Sequence, residues 1–266
     1  SMHALPALPV QWSKAQVLGW IDRLSKAPSR AIYFADGTQA ASDWIEGLQQ
    51  SVARAAIPET QPARFGLVVR RASLRTFPDA MRVFTDPLDH DIDRFQESAL
   101  FPGTPVAIAH ASRDGRWLFV LAPNYAAWIE ADAVAEGARD VVLGYAAKAP
   151  VRVLTAARAT LAFTPEEPRL SRRELEMGTR IPLADLPADG VVNGQNAYTS
   201  WPLLMPVRQA NGSLALRTAL LPRTNDTAPA PLSFTRANLL RQAFKFLGER
   251  YGWGHDYEAR DCSGFV

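Results

Sequence analysis

Cysteine is nearly missing from this sequence: Cys262 is the only one among 266 residues. A lone thiol excludes an internal disulfide and any zinc site built from several cysteines, and it leaves the redox compartment unreadable. Long apolar runs are missing as well. No stretch approaches the roughly 18 uninterrupted apolar residues of a membrane-crossing helix. Charge of one sign is also scarce, because 29 Lys and Arg against 27 Asp and Glu leave a formal +2. That excess is too small to point to nucleic acid, although a mildly basic surface does not repel an anionic polymer. No secretion signal is legible at the amino end. Ser1-Met2 reads as a cloning remnant, which is compatible with an export signal or lipid anchor trimmed before it.

What is present favours soluble globular structure with more than one core. Hydrophobic residues make up 47% of the chain, an ordinary share. The 20 prolines and the Asp-Gly and Asn-Gly pairs favour short strands over long helices. Residues 1–64 read as a helical segment. Ser13 is placed to cap a run in which Val17, Leu18, Ile21 and Leu24 recur at helical spacing. A second run goes from Ser42 through Trp44, Ile45, Leu48 and Val52 to Ala56, and Pro58 stops it.

From Phe65 onward the texture turns to short β-prone runs: Gly66–Val69, Val106–Ala109, Trp117–Leu121 and Ala127–Ile129. Asp114-Gly115 supplies a hairpin turn. Several short strands so close together suggest a small barrel over residues 65–149. The stretch 150–222 repeats the plan weakly, with Thr160–Pro165 answering Leu74–Pro78 and Asn211-Gly212 providing a second hairpin. One irregular all-β domain is the alternative to two barrels. Residues 223–266 open with a proline-bearing polar linker. Ser233 or Thr235 then caps a helix whose Leu239, Leu240, Ala243, Phe244 and Leu247 share a face, and Gly248 ends it.

The last sixteen residues carry the chemistry. In Asp261-Cys-Ser-Gly-Phe-Val266, Asp261 has the look of a helix cap, and Cys262 falls in the first turn. There the unpaired N–H groups favour a thiolate, the reactive form of a thiol. A small buried hydrophobe is the other reading of a lone cysteine.

Tyr251-x-Trp253-Gly254, a short loop and Asp261-Cys-Ser-Gly-Phe-Val266 together resemble the nucleophile motif of NlpC-type cell-wall cysteine peptidases. These are papain-like bacterial enzymes that cut peptidoglycan stem peptides, usually between D-glutamate and a diamino acid. The order of motifs between Leu74 and Trp128 likewise resembles a bacterial SH3-like domain. The resemblance implies an α+β multidomain chain: a helical leader, two tandem SH3-like barrels and the start of a papain-like domain, in the cell envelope, periplasmic or exported. It implies Cys262 as nucleophile, with its own N–H helping to hold the oxyanion. Tyr251 is implied as a donor to substrate, and Asp261 and Ser263 as ligands of the free amino terminus of an L-alanyl stem peptide. Glu97 and Tyr125 of the first barrel are implied to close the pocket, an exposed Glu and a strand-end Tyr being the plain alternatives. Trp253 is left as packing beneath the loop.

The pattern departs at His255, where many members have a second glycine. The base histidine is expected well downstream of the cysteine, and only four residues follow Cys262 here. A non-catalytic SH3-like protein that binds wall peptides is therefore the rival reading. Among the histidines, His3 reads as a tail residue and His110 as a core residue. His255 is not expected to be the base. His90 lies in an acidic stretch, Asp86–Asp93, that lacks the glycine and final glutamate of a calcium loop. No metal and no cofactor are inferred.

Overall fold

The computed structural model describes residues 4–265. Ser1-Met2, His3 and Val266, the last residue of the cysteine motif, lie outside the described residues.

Ser13 caps α1 (Lys14–Leu24) through a reciprocal capping box: Gln16 N–H donates to its Oγ at 3.3 Å, and Ser13 N–H donates to Gln16 Oε1 at 2.9 Å. Two orphan donors are satisfied at once. Val17 and Ile21, one turn apart, are buried. The second helix, α2 (Ser42–Ser51), stops short of the expected Ala56, because Ala53 turns left-handed and a 3₁₀ turn follows. The leader is also not purely helical. β1 (Gln11–Ser13) pairs antiparallel with β2 (Thr60–Pro62) and ties its two ends together. Three-residue strands are too short for period-2 alternation to be read from sequence.

The main sheet consists of β3 (Arg64–Val68), β4 (Ala72–Arg75), β5 (Gln96–Leu100), β6 (Pro105–Ala111), β7 (Trp117–Leu121), β8 (Ala126–Glu130) and β9 (Val134–Gly137). The seven strands run in the order β5-β4-β8-β7-β6-β3-β9, and all pairs are antiparallel. Both faces are buried. On one, Phe65, Leu67, Phe119 and Trp128 pack against Trp12, Val17 and Ile21 of the leader and against Val142 and Tyr145 of α3 (Arg139–Ala147). On the other, Leu74, Val106, Ile108, Val120 and Ile129 form a second core. Burial on both faces explains why β7 reads Trp-Leu-Phe-Val-Leu without alternation. Gly66 is required where β3 meets β9, since a Cβ there would stand 2.8 Å from the Ala135 carbonyl oxygen. A polar relay stitches leader to sheet: Trp128 Nε1 donates to Ser25 Oγ (3.0 Å), which donates to the Thr76 carbonyl (2.7 Å).

The long connection from Thr76 to Phe95 is organised by one buried ion pair. Arg75 reaches Asp93 at 2.5 Å, with both side chains almost wholly buried. Arg75 also donates to the carbonyls of Asp79 and Met81, and Asp93 accepts from the N–H groups of Val83 and Phe95. Every charge is hydrogen-bonded, the condition under which a buried pair is tolerated. His90 lies on this connection, its ring near Phe84 and its Nε2 3.1 Å from the Pro87 carbonyl oxygen.

A second β region follows. It comprises β10 (Val151–Leu154), β11 (Arg158–Thr160), β12 (Glu174–Glu176), β13 (Arg180–Pro182), β14 (Val191–Val192), β15 (Gln195–Asn196), β16 (Ser200–Arg208), β17 (Leu214–Pro222) and β18 (Thr227–Ala228). The long β16–β17 hairpin turns at Asn211-Gly212. Leu154, Leu175, Ile181, Leu203, Met205 and Leu221 fill a separate core. The region does not stop at Pro222. Thr227 and Ala228 pair with Leu154 and Val153, so the stretch read as linker supplies an edge strand too short to carry any pattern.

The chain then enters α4 (Arg236–Phe244), capped by Thr235, whose Oγ1 accepts from Asn238 N–H. It ends in a four-residue helical turn, α5 (Cys262–Phe265). The whole is an α+β structure with one large sheet. Among the described residues no helix is long and apolar enough to cross a membrane.

Candidate active site

The loop from Tyr251 to Asp261 delivers Cys262. Its neck is closed by Gly252 N–H donating to the Arg260 carbonyl at 2.9 Å, beside a Tyr251–Arg260 bridge. Inside it, His255, Tyr257 and Glu258 all have left-handed backbones, with φ between 54° and 63°. Each such residue costs about 1–2 kcal/mol relative to ordinary backbone, so the loop needs outside support.

That support comes from both β regions. Gln96 donates to the Gly254 carbonyl at 2.7 Å, and Arg71 donates to the carbonyls of His255 (2.7 Å) and Ala259 (3.1 Å). Arg82 pairs with Asp256 at 2.5 Å and lies over the Tyr257 ring, whose hydroxyl donates to the His90 carbonyl at 2.9 Å. From the second β region, Arg158 donates to the Glu258 carbonyl at 2.6 Å. Glu176 holds Arg71 (3.1 Å) and Arg260 (3.4 Å) together. Hydrogen bonds to charged groups are worth about 1.5–3 kcal/mol each, enough in number to offset the strain. Burial pushes the Glu176 carboxyl up, against the pull of Arg71, Arg260 and Arg158.

At the end of the loop Asp261 acts as a cap. Its Oδ1 accepts from Gly264 N–H and from the Ser263 hydroxyl, both at 2.7 Å. Burial works to raise its carboxyl, but these bonds and His255 hold it below its ordinary value. Cys262 follows and is exposed. Tyr251 is also exposed, and its phenol is pushed up by desolvation and by the Cys262 and Asp261 groups beside it.

Ser263, Gly264, His255 and Arg260 form one wall of a cleft of about 800 Å3. Glu97 and Tyr125 stand on the first β region's side, and Met177–Arg180 come from the second. The Tyr125 hydroxyl donates to Glu97, whose other oxygen accepts from Thr76 Oγ1 at 2.5 Å. Burial and the neighbouring Glu97 push the Tyr125 phenol well up, so it remains a donor.

Of the residues singled out in sequence, Glu97, Tyr125 and Ser263 line this cleft, although Glu97 lies 166 positions before Ser263. Tyr251, Asp261 and Cys262 lie close to one another on the loop beside Ser263, but are not themselves among the residues lining the cleft. Trp253 is substantially exposed and does not pack beneath the loop. His110 is buried, with Nε2 against the carbonyls of Val52 and Ala53. Sequence reading passed over the loop's holders, Arg71, Gln96, Arg82, Arg158 and Glu176. Gln96 falls in the stretch that resembles an SH3-like domain, but nothing local marks any of the five as a holder of the loop, and they act on carbonyls or charges up to 188 positions away.

Residues 82–130 match the family of SH3 domains of the SH3b1 type. No curated protein sequence matches the chain. Its fold resembles that of a solved NlpC/P60 endopeptidase from Photobacterium damselae subsp. piscicida. The TM-score is 0.75 at 20% identity, covering 94% of this chain and 52% of that one. It also resembles an NlpC/P60 family protein from Bacillus cereus ATCC 10987, with a TM-score of 0.54 at 19% identity, over 76% of this chain and 70% of that one. The chain spans about half the length of the first of these structures. It is thus an α+β protein that carries an SH3b1-type domain and shares its fold with NlpC/P60 proteins.

Proposed function

We propose that the protein is a cell-wall cysteine endopeptidase that cleaves γ-D-glutamyl-diamino acid bonds in murein stem peptides. The observation that carries this reading is the shared cleft. Glu97 and Tyr125 face it from positions 137 or more residues before an exposed cysteine whose neighbour Ser263 lines the same cleft, the arrangement the NlpC-type resemblance calls for. We read the main sheet (65–149) and the second β region (from 150) as two tandem SH3-like barrels, and α4 to α5 as the opening of a papain-like domain. Peptidoglycan peptides are the partner class, and an envelope location, periplasmic or exported, follows from it.

In this reading the Cys262 thiolate attacks the γ-glutamyl carbonyl carbon. The C–N bond breaks, and the diamino acid leaves with a proton from an imidazole that in the NlpC-type pattern follows the cysteine in sequence. Water then hydrolyses the thioester, returning the thiol and a carboxylate. The Cys262 N–H and the Tyr251 hydroxyl stabilise the oxyanion or orient the carbonyl. Asp261 meets the cationic amino terminus of the peptide, beside Ser263. Glu97 and Tyr125 shut the far end and favour short peptides.

The deciding experiment is release of diamino acid from L-alanyl-γ-D-glutamyl-diamino acid peptide by the full-length protein. Cys262→Ala should abolish release, and undiminished release by that variant would sink the reading.

A further inference from the structure

His255 contributes to neither the nucleophile nor the cap, yet it is 8% exposed on a left-handed backbone (φ 63°). Among the described residues its Nδ1 is buried without a hydrogen-bond partner, and it stands 4.0 Å from Asp261 Oδ2. Ser263 and Gly264 both use the other oxygen, Oδ1. Among the described residues, Oδ2 therefore faces His255 and no hydrogen-bond donor. On its far side the ring lies against Gly264, where an added Cβ would meet Nε2 at 2.0 Å. The imidazole is wedged between the carboxylate before Cys262 and the glycine after it.

We propose that His255 is a positioning residue that sets specificity for the peptide's amino terminus: uncharged, it leaves Asp261 Oδ2 free for a cationic amine, and protonated it claims that oxygen itself. The proposal rests on the reading of Asp261 as the amine's ligand. The other groups around the ring are Phe101, edge-on at 5.8 Å, Arg71, which donates to the His255 carbonyl, and Arg260, with Glu176 behind both arginines. Burial disfavours the imidazolium most, Asp261 favours it, and Arg71 and Arg260 oppose it. The balance holds the imidazole below its ordinary value. The oxygen is then free near neutral pH and is taken in acid.

Because proton and amine compete for one carboxylate, KM for a free-amine peptide should rise as pH falls through the His255 titration, by up to about tenfold per pH unit. The same peptide with an acetylated amino terminus should show no such rise. The test compares KM and kcat of the full-length protein for L-alanyl-γ-D-glutamyl-diamino acid tripeptide and its N-acetyl form, between about pH 5 and about pH 7. His255→Asn keeps a residue that tolerates the left-handed backbone and cannot take up the proton. It should remove the KM rise and leave the pH dependence of kcat as it is in the unaltered protein; an unchanged rise overturns the proposal.

A second measurement needs no substrate. In NMR titrations His255 should titrate at lower pH in Asp261→Asn than in the unaltered protein, and an unmoved titration overturns the proposal. Turnover without this coupling defeats the His255 role alone. Coupling without any turnover of the tripeptide defeats the peptidase reading, and this proposal with it.

Discussion

The sheet with its leader and the carboxyl-terminal segment were written with similar apolar periodicity, and they meet opposite fates. In the first, Val17 and Ile21 of α1 are fully buried against Phe119 and Trp128. In the second, Leu239, Leu240, Phe244 and Leu247 are 49%, 48%, 63% and 75% exposed. Amphipathic spacing tells where a helix forms and which face seeks cover. Whether that face is covered depends on what is folded beside it. Apolar burial thus holds the sheet to its leader, whereas the cysteine loop is held by polar contacts made at a distance.

Four substitutions press on that contrast. The largest effect should come from Trp128→Ala, which empties the shared core and strands the Ser25 relay. A loss of about 3–5 kcal/mol is expected, read from denaturant unfolding. Next, Arg71→Ala removes the donor to two loop carbonyls. Each such bond is worth about 1.5–3 kcal/mol locally, so amide exchange over residues 252–261 should accelerate markedly while the sheet's exchange changes little. Equal acceleration in both regions would mean that loop and sheet open together. Ser13→Ala should cost about 1 kcal/mol through loss of the capping box, visible as a small shift in the unfolding midpoint. Leu240→Ser, on the exposed face of α4, should change stability by less than about 0.5 kcal/mol. A cost several times larger would mean that this face is covered.

Legibility in the sequence followed range. Elements governed by nearest neighbours were readable: the Ser13 cap, the Asp114-Gly115 and Asn211-Gly212 turns, and Asp261 as the residue that closes the Cys262 turn. The helical reading of residues 1–64 missed β1 and β2, and the boundary at Pro222 missed β18, because two or three residues carry no period. Glu97 and Tyr125 were reached through family resemblance; nothing local in Gln-Glu-Ser or Asn-Tyr-Ala sets them apart. The five residues that hold the cysteine loop were not legible in that role. An arginine aimed at a distant backbone carbonyl looks like any surface arginine until the chain is folded.

Taken alone, the sequence determined where the capped helices begin, where the longer strands of the main sheet run, and that one thiol sits at the start of a helical turn. These outcomes depend on backbone preferences and side-chain spacing within a few residues. Only the tertiary structure decided that Glu97, Tyr125 and Ser263 border one cleft, that the leader shares the sheet's core, and that His255 lies against Asp261. Those outcomes depend on which distant surfaces exclude water together, a property of the packed chain that no local window contains.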